Sequence, residues 1–167
     1  MPFELGLWRR NAEQRIFGHG TDHTPGAPNN DGPIRCGSGR RKITDQSIDY
    51  DGLMQANLAR VFGERDTSRR MKAIAELYAD NAILYEPDAS ATGHAAISQA
   101  VEALLSSLPP NFVFTPIGPA VGHHGMGRLR WRSGPPNGPA AVTGTDVAQI
   151  EGGRIQTLHV FLDPAAA

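Results

Sequence analysis

The chain has a single cysteine, Cys36, among its 167 residues. One thiol cannot form an internal disulfide, and it cannot supply a thiolate metal cluster by itself. Stability must therefore come from an ordinary packed core. The near absence of cysteine fits a reducing compartment, so we expect a cytoplasmic location.

Long apolar segments and an excess of charge of one sign are also missing. No window approaches the roughly 20 apolar residues that a membrane-spanning helix needs. The 16 Lys and Arg residues against 17 Asp and Glu leave a formal net charge of −1. Such a protein has no general field that draws it to nucleic acid or an acidic membrane. We expect neither nucleic acid nor a membrane among its partners.

The first 44 residues lack the apolar periodicity of a folded segment. Gly, Pro, Asn and charged residues dominate there, and the apolar residues stand alone. Such a segment cannot offset the entropy of ordering. We interpret residues 1–44 as a disordered or non-native N-terminal tail and residues 45–167 as one domain with a single core.

Three stripes of apolar residues at helical spacing follow the tail, and each predicts one helix. A break at Asp66 separates the first two, and the side chain of Asp66 or Thr67 can cap the second helix. A short strand from Ala82 to Glu86, stopped by Pro87, precedes the third. The stripes are Met54, Leu58, Val61 and Phe62, then Met71, Ile74, Leu77 and Tyr78, then Ile97, Val101, Leu104 and Leu105.

The remainder of the chain has the pattern of strands. Short links, such as the turn at residues 151–153, favour antiparallel neighbours. We therefore expect an α+β domain in which three helices cover one face of a strongly curved antiparallel sheet. Short helices cannot fill the concave side, so a pocket is expected between the layers. The strands are predicted at residues 112–116, 120–132, 140–150 and 155–162.

A resemblance to a known family rests on two segments, LYADNAILYEPDASATGHAAISQAV at residues 77–101 and GTDVAQIEGGRIQTLHVFLDP at residues 144–164. Their order and spacing are similar to the SnoaL-like branch of the nuclear-transport-factor-2-like superfamily, over nearly all of residues 48–164. The resemblance implies a cone-shaped fold around a small-molecule pocket. It leaves the activity open, because the superfamily includes ketosteroid isomerases, polyketide cyclases, limonene-epoxide hydrolases and dehydratases as well as binding domains without chemistry.

The resemblance implies acid–base roles for two carboxylates. Glu86 lies where ketosteroid isomerases carry a general base, and Asp146 lies where they carry a protonated acid that donates to an oxyanion. SnoaL-like cyclases also rely on a strand aspartate, for which Asp146 is the counterpart. Alternation independently places Asp146 on a face with Val142, Ala148 and Ile150, where burial raises a carboxyl pKa. Each carboxylate also has a structural interpretation, Glu86 as a solvated strand end and Asp146 as a partner in a structural hydrogen bond.

His159 in the last strand is a third candidate, because the pKa of an imidazole suits proton transfer. The alternative is a structural histidine of the sheet, and the strand register that would place it relative to Asp146 is left open. Leu58 stands where the resembled isomerases carry an oxyanion-hole tyrosine, and Gly144 stands where the epoxide hydrolases carry an arginine. Both activities are therefore disfavoured. The pocket walls are predicted at Leu58, Leu84, Val142 and Ile150.

Two histidines and three arginines invite other interpretations. Neighbours in a strand point to opposite faces, so His123 and His124 predict no metal site, and no cofactor is expected. The arginines alternate with Leu129 and Trp131, so the strand has one charged and one apolar face. A charged row of this kind is typical of the solvated outer face of a sheet. If the expected homodimer forms there, Trp131 and its apolar row would anchor it. The arginines are Arg128, Arg130 and Arg132.

Two functional hypotheses follow. The first is an enzyme of the SnoaL-like kind that performs cyclisation, isomerisation or dehydration on a small hydrophobic molecule, with Asp146 as acid or base and Glu86 assisting. The second is a ligand-binding or dimerisation module of the same fold without chemistry. A third, a scaffold that binds a protein through its open sheet face, requires an exposed apolar row around Trp131.

Overall fold

The structure, a computed structural model, describes residues 48–164. The predicted tail at residues 1–44 lies outside the described residues. The helices are α1 (Tyr50–Asn57), α2 (Thr67–Leu77) and α3 (His94–Ser107), with a π-helical turn at Leu58–Phe62. The strands are β1 (Tyr78–Glu86), β2 (Ala89–Thr92), β3 (Val113–Pro116), β4 (Val121–His123), β5 (Met126–Gly134), β6 (Val142–Glu151) and β7 (Arg154–Leu162). None of the helices in this part of the chain is long and apolar enough to cross a membrane.

The predicted first helix consists of two different segments. Asp49 caps α1 by accepting a hydrogen bond of 2.8 Å from the backbone nitrogen of Gly52. After Asn57 the chain continues as the wider π-helical turn, which buries the rest of the apolar stripe. Such turns are rare and occur frequently at functional sites. The stripe faces the core as predicted, and Asn57 lies at the junction of the two segments.

The second helix begins at the predicted cap and carries a buried cation. Asp66 accepts a hydrogen bond of 2.8 Å from the backbone nitrogen of Arg69. The next residue, Arg70, is fully buried and joins α2 to α3. Its guanidinium donates to the backbone oxygen of Glu64 at 2.7 Å and to the Ser98 hydroxyl at 3.2 Å, and it forms an ion pair with Glu102. Every part of this cation therefore has a partner.

Arg70→Leu should destabilise the protein by about 2 kcal/mol, because it leaves the Ser98 hydroxyl and the backbone oxygen of Glu64 without their donor. The measurement is urea denaturation of the full-length chain. Arg69→Leu is the matched control, since its neighbouring guanidinium contacts Glu64 in solvent and its side chain is 73% exposed. Equal losses in the two variants would contradict the structural role of Arg70.

The sheet runs in the order β2-β1-β7-β6-β5-β3, with β4 on another part of β5. It is unclosed, with β2 at one edge. The predicted α+β class is confirmed, but β1 and β7 are parallel, so the expectation of a wholly antiparallel sheet is wrong at this pair. The two strands are far apart in the chain, and the short-link rule that favours antiparallel neighbours does not apply to them.

Three local boundaries also differ from the predictions. The single strand predicted at residues 120–132 is a hairpin of β4 and β5, closed by His124 and Gly125 with φ of 50° and 76°. Positive φ at both central residues is the signature of a type I′ turn. Tyr78, predicted on the stripe of the second helix, is the first residue of β1. The short strand β2 was not predicted, because its residues, Ala89–Thr92, are mostly exposed and show no alternation.

Alternation along the central strands separates a buried inner face from an outer face. The register aligns one row of inner residues across four strands, and the adjacent row faces outward. The inner row packs toward the helices and forms the core. The inner row is Leu84, Leu158, Ala148 and Gly127, and the outer row is Tyr85, His159, Val147 and Arg128.

Candidate functional site

Asp146 is a carboxylate placed among apolar residues on the inner face of the sheet. It lies in the middle of β6, directly between Val160 of β7 and Leu129 of β5, and it is 2% exposed. Burial raises the pKa of its carboxyl from 3.8 to about 7, and a hydrogen bond from Trp131 offsets part of the rise. A carboxyl in this setting changes protonation near neutral pH.

The indole of Trp131 is the polar partner of Asp146. Its Nε1 donates to Oδ1 of Asp146 at 2.7 Å. Trp131 lies directly opposite Gly144 in the β5–β6 ladder, and a Cβ on Gly144 would stand 2.6 Å from Cζ2 of the indole. Only glycine leaves room for the ring to lie across β6 and reach the carboxyl two residues further on. Gly144, at the position where the resemblance places the arginine of the epoxide hydrolases, thus allows Trp131 to reach Asp146.

Tyr78 and Asn57 add two buried polar groups to the cluster. The Tyr78 hydroxyl donates to Oδ1 of Asn57 at 2.6 Å, and both residues are 0% exposed. Burial and then the charge of Asp146 raise the pKa of Tyr78 well above its ordinary value, which places the phenol near that carboxyl. Nδ2 of Asn57 has no hydrogen-bond partner among the described residues.

We call Asn57, Tyr78, Trp131 and Asp146 the buried polar cluster. Sequence reasoning found only Asp146. Asn57 was missed because it sits beside the apolar stripe, one residue before Leu58, where a polar residue is ordinarily solvated. Trp131 could have been found from the hairpin register, which sets a bulky indole opposite a glycine.

Glu86 lies on the same face as Asp146, at the end of β1. Tyr85 of β1 pairs with His159 of β7, so the next residue, Glu86, lies level with Val160. Val160 in turn pairs with Asp146 of β6. Two strand spacings separate the two acids, which corresponds to about 10 Å between their Cα atoms. Glu86 is half-buried, and burial followed by the charge of Asp88 raises its pKa.

His159 does not join these carboxylates. It pairs with Val147, the neighbour of Asp146, and therefore points to the outer face. There its ring stacks on Tyr85 with centroids 4.6 Å apart, and the ring of Phe161 is nearly parallel to it at a centroid distance of 6.4 Å. The geometry does not support its candidate role as a proton-transfer group beside Asp146. This aromatic row is half-exposed, and the expected homodimer stays a prediction.

The four residues predicted to line a pocket all lie in the interior, and each is at most 5% exposed. Three of them come from the inner face of the sheet and one from the π-helical turn opposite it. The pocket itself stays a prediction. The four residues are Leu58, Leu84, Val142 and Ile150.

The charged row of β5 forms a solvated outer face as predicted, but the prediction that Trp131 anchors a dimer there is wrong. Trp131 is 2% exposed and turns inward, while the three alternating arginines turn outward. Phe114 packs edge-on against its ring with centroids 5.4 Å apart, and Phe62 packs on Phe114 at 6.3 Å. The apolar row of β5 therefore belongs to the core, and the exposed apolar row around Trp131 that the scaffold hypothesis requires is not found among the described residues.

The two adjacent histidines do not point to opposite faces. His124 is a turn residue with positive φ, so strand alternation does not apply, and Nδ1 of His123 lies 3.1 Å from Nδ1 of His124. Both rings are exposed at the tip of the β4–β5 hairpin. Within residues 48–164, no group of three or more His, Cys, Asp or Glu side chains is arranged to hold a metal ion.

Comparison with known proteins identifies relatives of the whole domain. The model of the SnoaL-like domain family matches residues 58–158. A candidate isomerase of the SnoaL-like family from Agrobacterium tumefaciens is 30% identical, with a TM-score of 0.63 over 68% of this chain and 96% of that one. No curated protein matches the chain.

Two more distant structures share the fold alone. A candidate polyketide cyclase from Sinorhizobium meliloti is 22% identical, with a TM-score of 0.52 over 69% of this chain and 98% of that chain. A candidate ketosteroid isomerase from Kribbella flavida is 12% identical, with a TM-score of 0.54 over 71% and 80% of the two chains. The predicted fold and family are confirmed. The activities named for these two structures describe those proteins and do not transfer to this chain with the fold.

Proposed function

Because the chain belongs to the SnoaL-like family, we propose that it binds a small apolar molecule on the inner face of its sheet and transfers a proton there. The observation that carries the proposal is the buried carboxyl of Asp146, whose pKa of about 7 lets it give or take a proton at neutral pH. Isomerisation, cyclisation and dehydration all use such a group. The structural hydrogen-bond interpretation does not explain why the carboxyl is placed among Leu129, Val160 and Ala148.

Glu86 supplies the second half of an acid–base pair. In the proposed reaction its carboxylate takes a proton from a carbon next to a carbonyl, and the electron pair of the C–H bond moves onto the carbonyl oxygen. Protonated Asp146 donates a hydrogen bond to that oxygen. Glu86 then returns its proton to the same or another carbon. A separation of about 10 Å between the Cα atoms, less the inward reach of both side chains, leaves room for a few ligand atoms between the carboxyls.

A binding module without chemistry is the second candidate, and one observation favours it. Leu58 occupies the position at which the resembled isomerases carry a tyrosine donor. The nearest tyrosine of the interior, Tyr78, already donates its proton to Asn57. Without a phenol that donates to the ligand, the site would stabilise a developing oxyanion less than the isomerases do.

Native mass spectrometry of the full-length chain tests the binding site. We expect wild type to retain a small molecule that Asp146→Asn loses or exchanges for another. Glu151→Gln is the control, because it removes a carboxylate from the exposed end of the same strand. Identical retention by all three proteins, or a folded wild type that retains nothing, would contradict the proposed site.

Deuterium exchange into the retained molecule separates the enzyme from the binding module. In heavy water, the proposed proton transfer replaces carbon-bound hydrogen by deuterium, so the mass of the ligand rises with time. Glu86→Gln should abolish the rise while leaving the ligand bound. A ligand that stays bound to wild type without gaining mass assigns the domain to binding alone.

A further inference from the structure

We propose that Asn57 is a ligand-contacting residue whose side-chain amide donates a hydrogen bond to an oxygen of the bound molecule. The ligand class is then a neutral, apolar molecule that carries a carbonyl or ether oxygen at the buried polar cluster. This inference rests on the proposed function, because it assigns a substrate class and a further residue to the same site.

The hydrogen bonding of Asn57 is the first support. Its amide oxygen is used by the Tyr78 hydroxyl at 2.6 Å, which fixes the plane of the amide group. Its Nδ2 is buried and lacks a partner among the described residues. Buried amide donors are nearly always paired in native proteins, so one left open calls for an acceptor from outside the domain. The π-helical turn that starts at the next residue is a second feature typical of binding sites.

The position of the amide is the second support. Tyr78 donates to Asn57, and the charge of Asp146 contributes to the raised pKa of the same phenol, so the amide and the carboxyl share one buried interior. Asp146 accepts one hydrogen bond on Oδ1, from the indole of Trp131. Its other oxygen carries the proton in the neutral form. The cluster thus offers a ligand two donors, the amide of Asn57 and the carboxyl of Asp146.

The buried polar cluster favours a neutral ligand, because it contains no cation to pair with an anion and its donors repel an ammonium group. An anionic ligand would need a cation, and the buried arginine of the domain, Arg70, is already paired with Glu102 and Ser98. An ammonium ligand would match the ionised form of Asp146 but would set its hydrogens against those of the Asn57 amide. A carbonyl oxygen accepts from the Asn57 amide and adds no charge to the interior.

Three matched probes test this assignment: naphthyl methyl ketone, ethylnaphthalene and naphthylethylamine, all substituted at the same ring carbon. They share the apolar surface and differ in the polar group, which is an acceptor, absent, or a cation. Their affinities for the full-length protein are measured by equilibrium dialysis at pH 6. We expect wild type to prefer the ketone to the hydrocarbon by at least about tenfold, the value of one hydrogen bond.

Asn57→Leu should reduce that preference about tenfold while leaving the affinity for ethylnaphthalene unchanged. This variant also leaves the Tyr78 hydroxyl without its acceptor and risks misfolding. The comparison is therefore repeated between Tyr78→Phe and the double variant Tyr78→Phe with Asn57→Leu, which differ only in the amide. The infrared carbonyl band of the bound ketone should move to higher frequency when Asn57 is removed, a change that a purely structural role would not produce.

The outcomes distinguish this inference from the proposed function. Unchanged ketone preference and an unchanged carbonyl band in both Asn57→Leu proteins would overturn the inference and leave the binding site standing. The same holds if naphthylethylamine binds more tightly than the ketone. A folded wild type that binds none of the three probes would overturn both the ligand class and the proposed function.

Discussion

As the pH rises from 4 to 8, the free energy of unfolding of the wild-type protein should fall by about 4 kcal/mol relative to that of Asp146→Asn. The pKa of Asp146 is about 7 in the folded chain, against an ordinary value of 3.8. Between these values the folded state holds a proton that the unfolded state has lost, so raising the pH favours unfolding. At about 1.4 kcal/mol per pH unit, the interval corresponds to about 4 kcal/mol.

The sign of this effect is opposite to that of a carboxylate held in a salt bridge. The contribution of Asp146 is fully present below pH 3.8 and is lost as the pH rises through the folded pKa of about 7. Asparagine cannot ionise, yet its oxygen can still accept the hydrogen bond from Trp131. The difference between the two proteins therefore isolates the one carboxyl.

The measurement is a series of urea denaturation curves at pH values from 4 to 8 for wild type, Asp146→Asn and Glu151→Gln. The control should run parallel to wild type, because Glu151 is exposed at the end of the strand. Parallel behaviour of wild type and Asp146→Asn would show that the carboxyl titrates normally. The proposed acid–base role would then lose its basis.

A carboxyl that destabilises the folded state at neutral pH is better explained by a functional role than by a contribution to folding. A leucine or alanine at this position would avoid the cost of burying an acid between Leu129 and Val160. Proteins keep such groups where function requires them, and the loss of stability is the usual accompaniment. The pH series therefore bears on function as well as on folding.

The features that the sequence predicted correctly depend on short-range pattern. The apolar stripes gave the three helices, the Asp66 cap was placed correctly, and alternation put Asp146 on an apolar strand face. Each of these follows from a period of 3.6 or 2 residues, or from a side chain that caps its own helix. Such features are fixed by neighbours in the chain.

The features that were missed depend on contacts between distant segments. The parallel pairing of β1 with β7 decides that His159 stacks on Tyr85 on the outer face. A shift of one residue in that register would have turned His159 inward, and the sequence alone does not fix it. The link from Tyr78 to Asn57 likewise joins a strand to a helix 21 residues earlier. The burial of Asp146 was thus predictable from the sequence, while its hydrogen-bond partner was not.

Gly144→Ala should destabilise the protein by about 3 kcal/mol and disrupt the buried polar cluster. The added Cβ would stand 2.6 Å from the indole of Trp131 and 2.5 Å from the backbone oxygen of Phe161. The second contact is with backbone, so relaxation of a side chain cannot relieve both. Displacement of the indole also removes the one hydrogen bond that lowers the pKa of Asp146. The carboxyl of the variant should consequently titrate at a higher pH than that of wild type.

A double-mutant cycle with Trp131→Leu distinguishes this mechanism from a general effect of replacing glycine in a strand. Leucine at position 131 leaves part of the space above β6 empty, so the alanine should cost less in that background than in wild type. Thr145→Ala, one residue further along β6 on the outer side, is the control for substitution in the strand itself. Denaturation curves give the four stabilities. Strict additivity would show that Gly144 and Trp131 act independently, and the glycine would then have no part in directing the indole to Asp146.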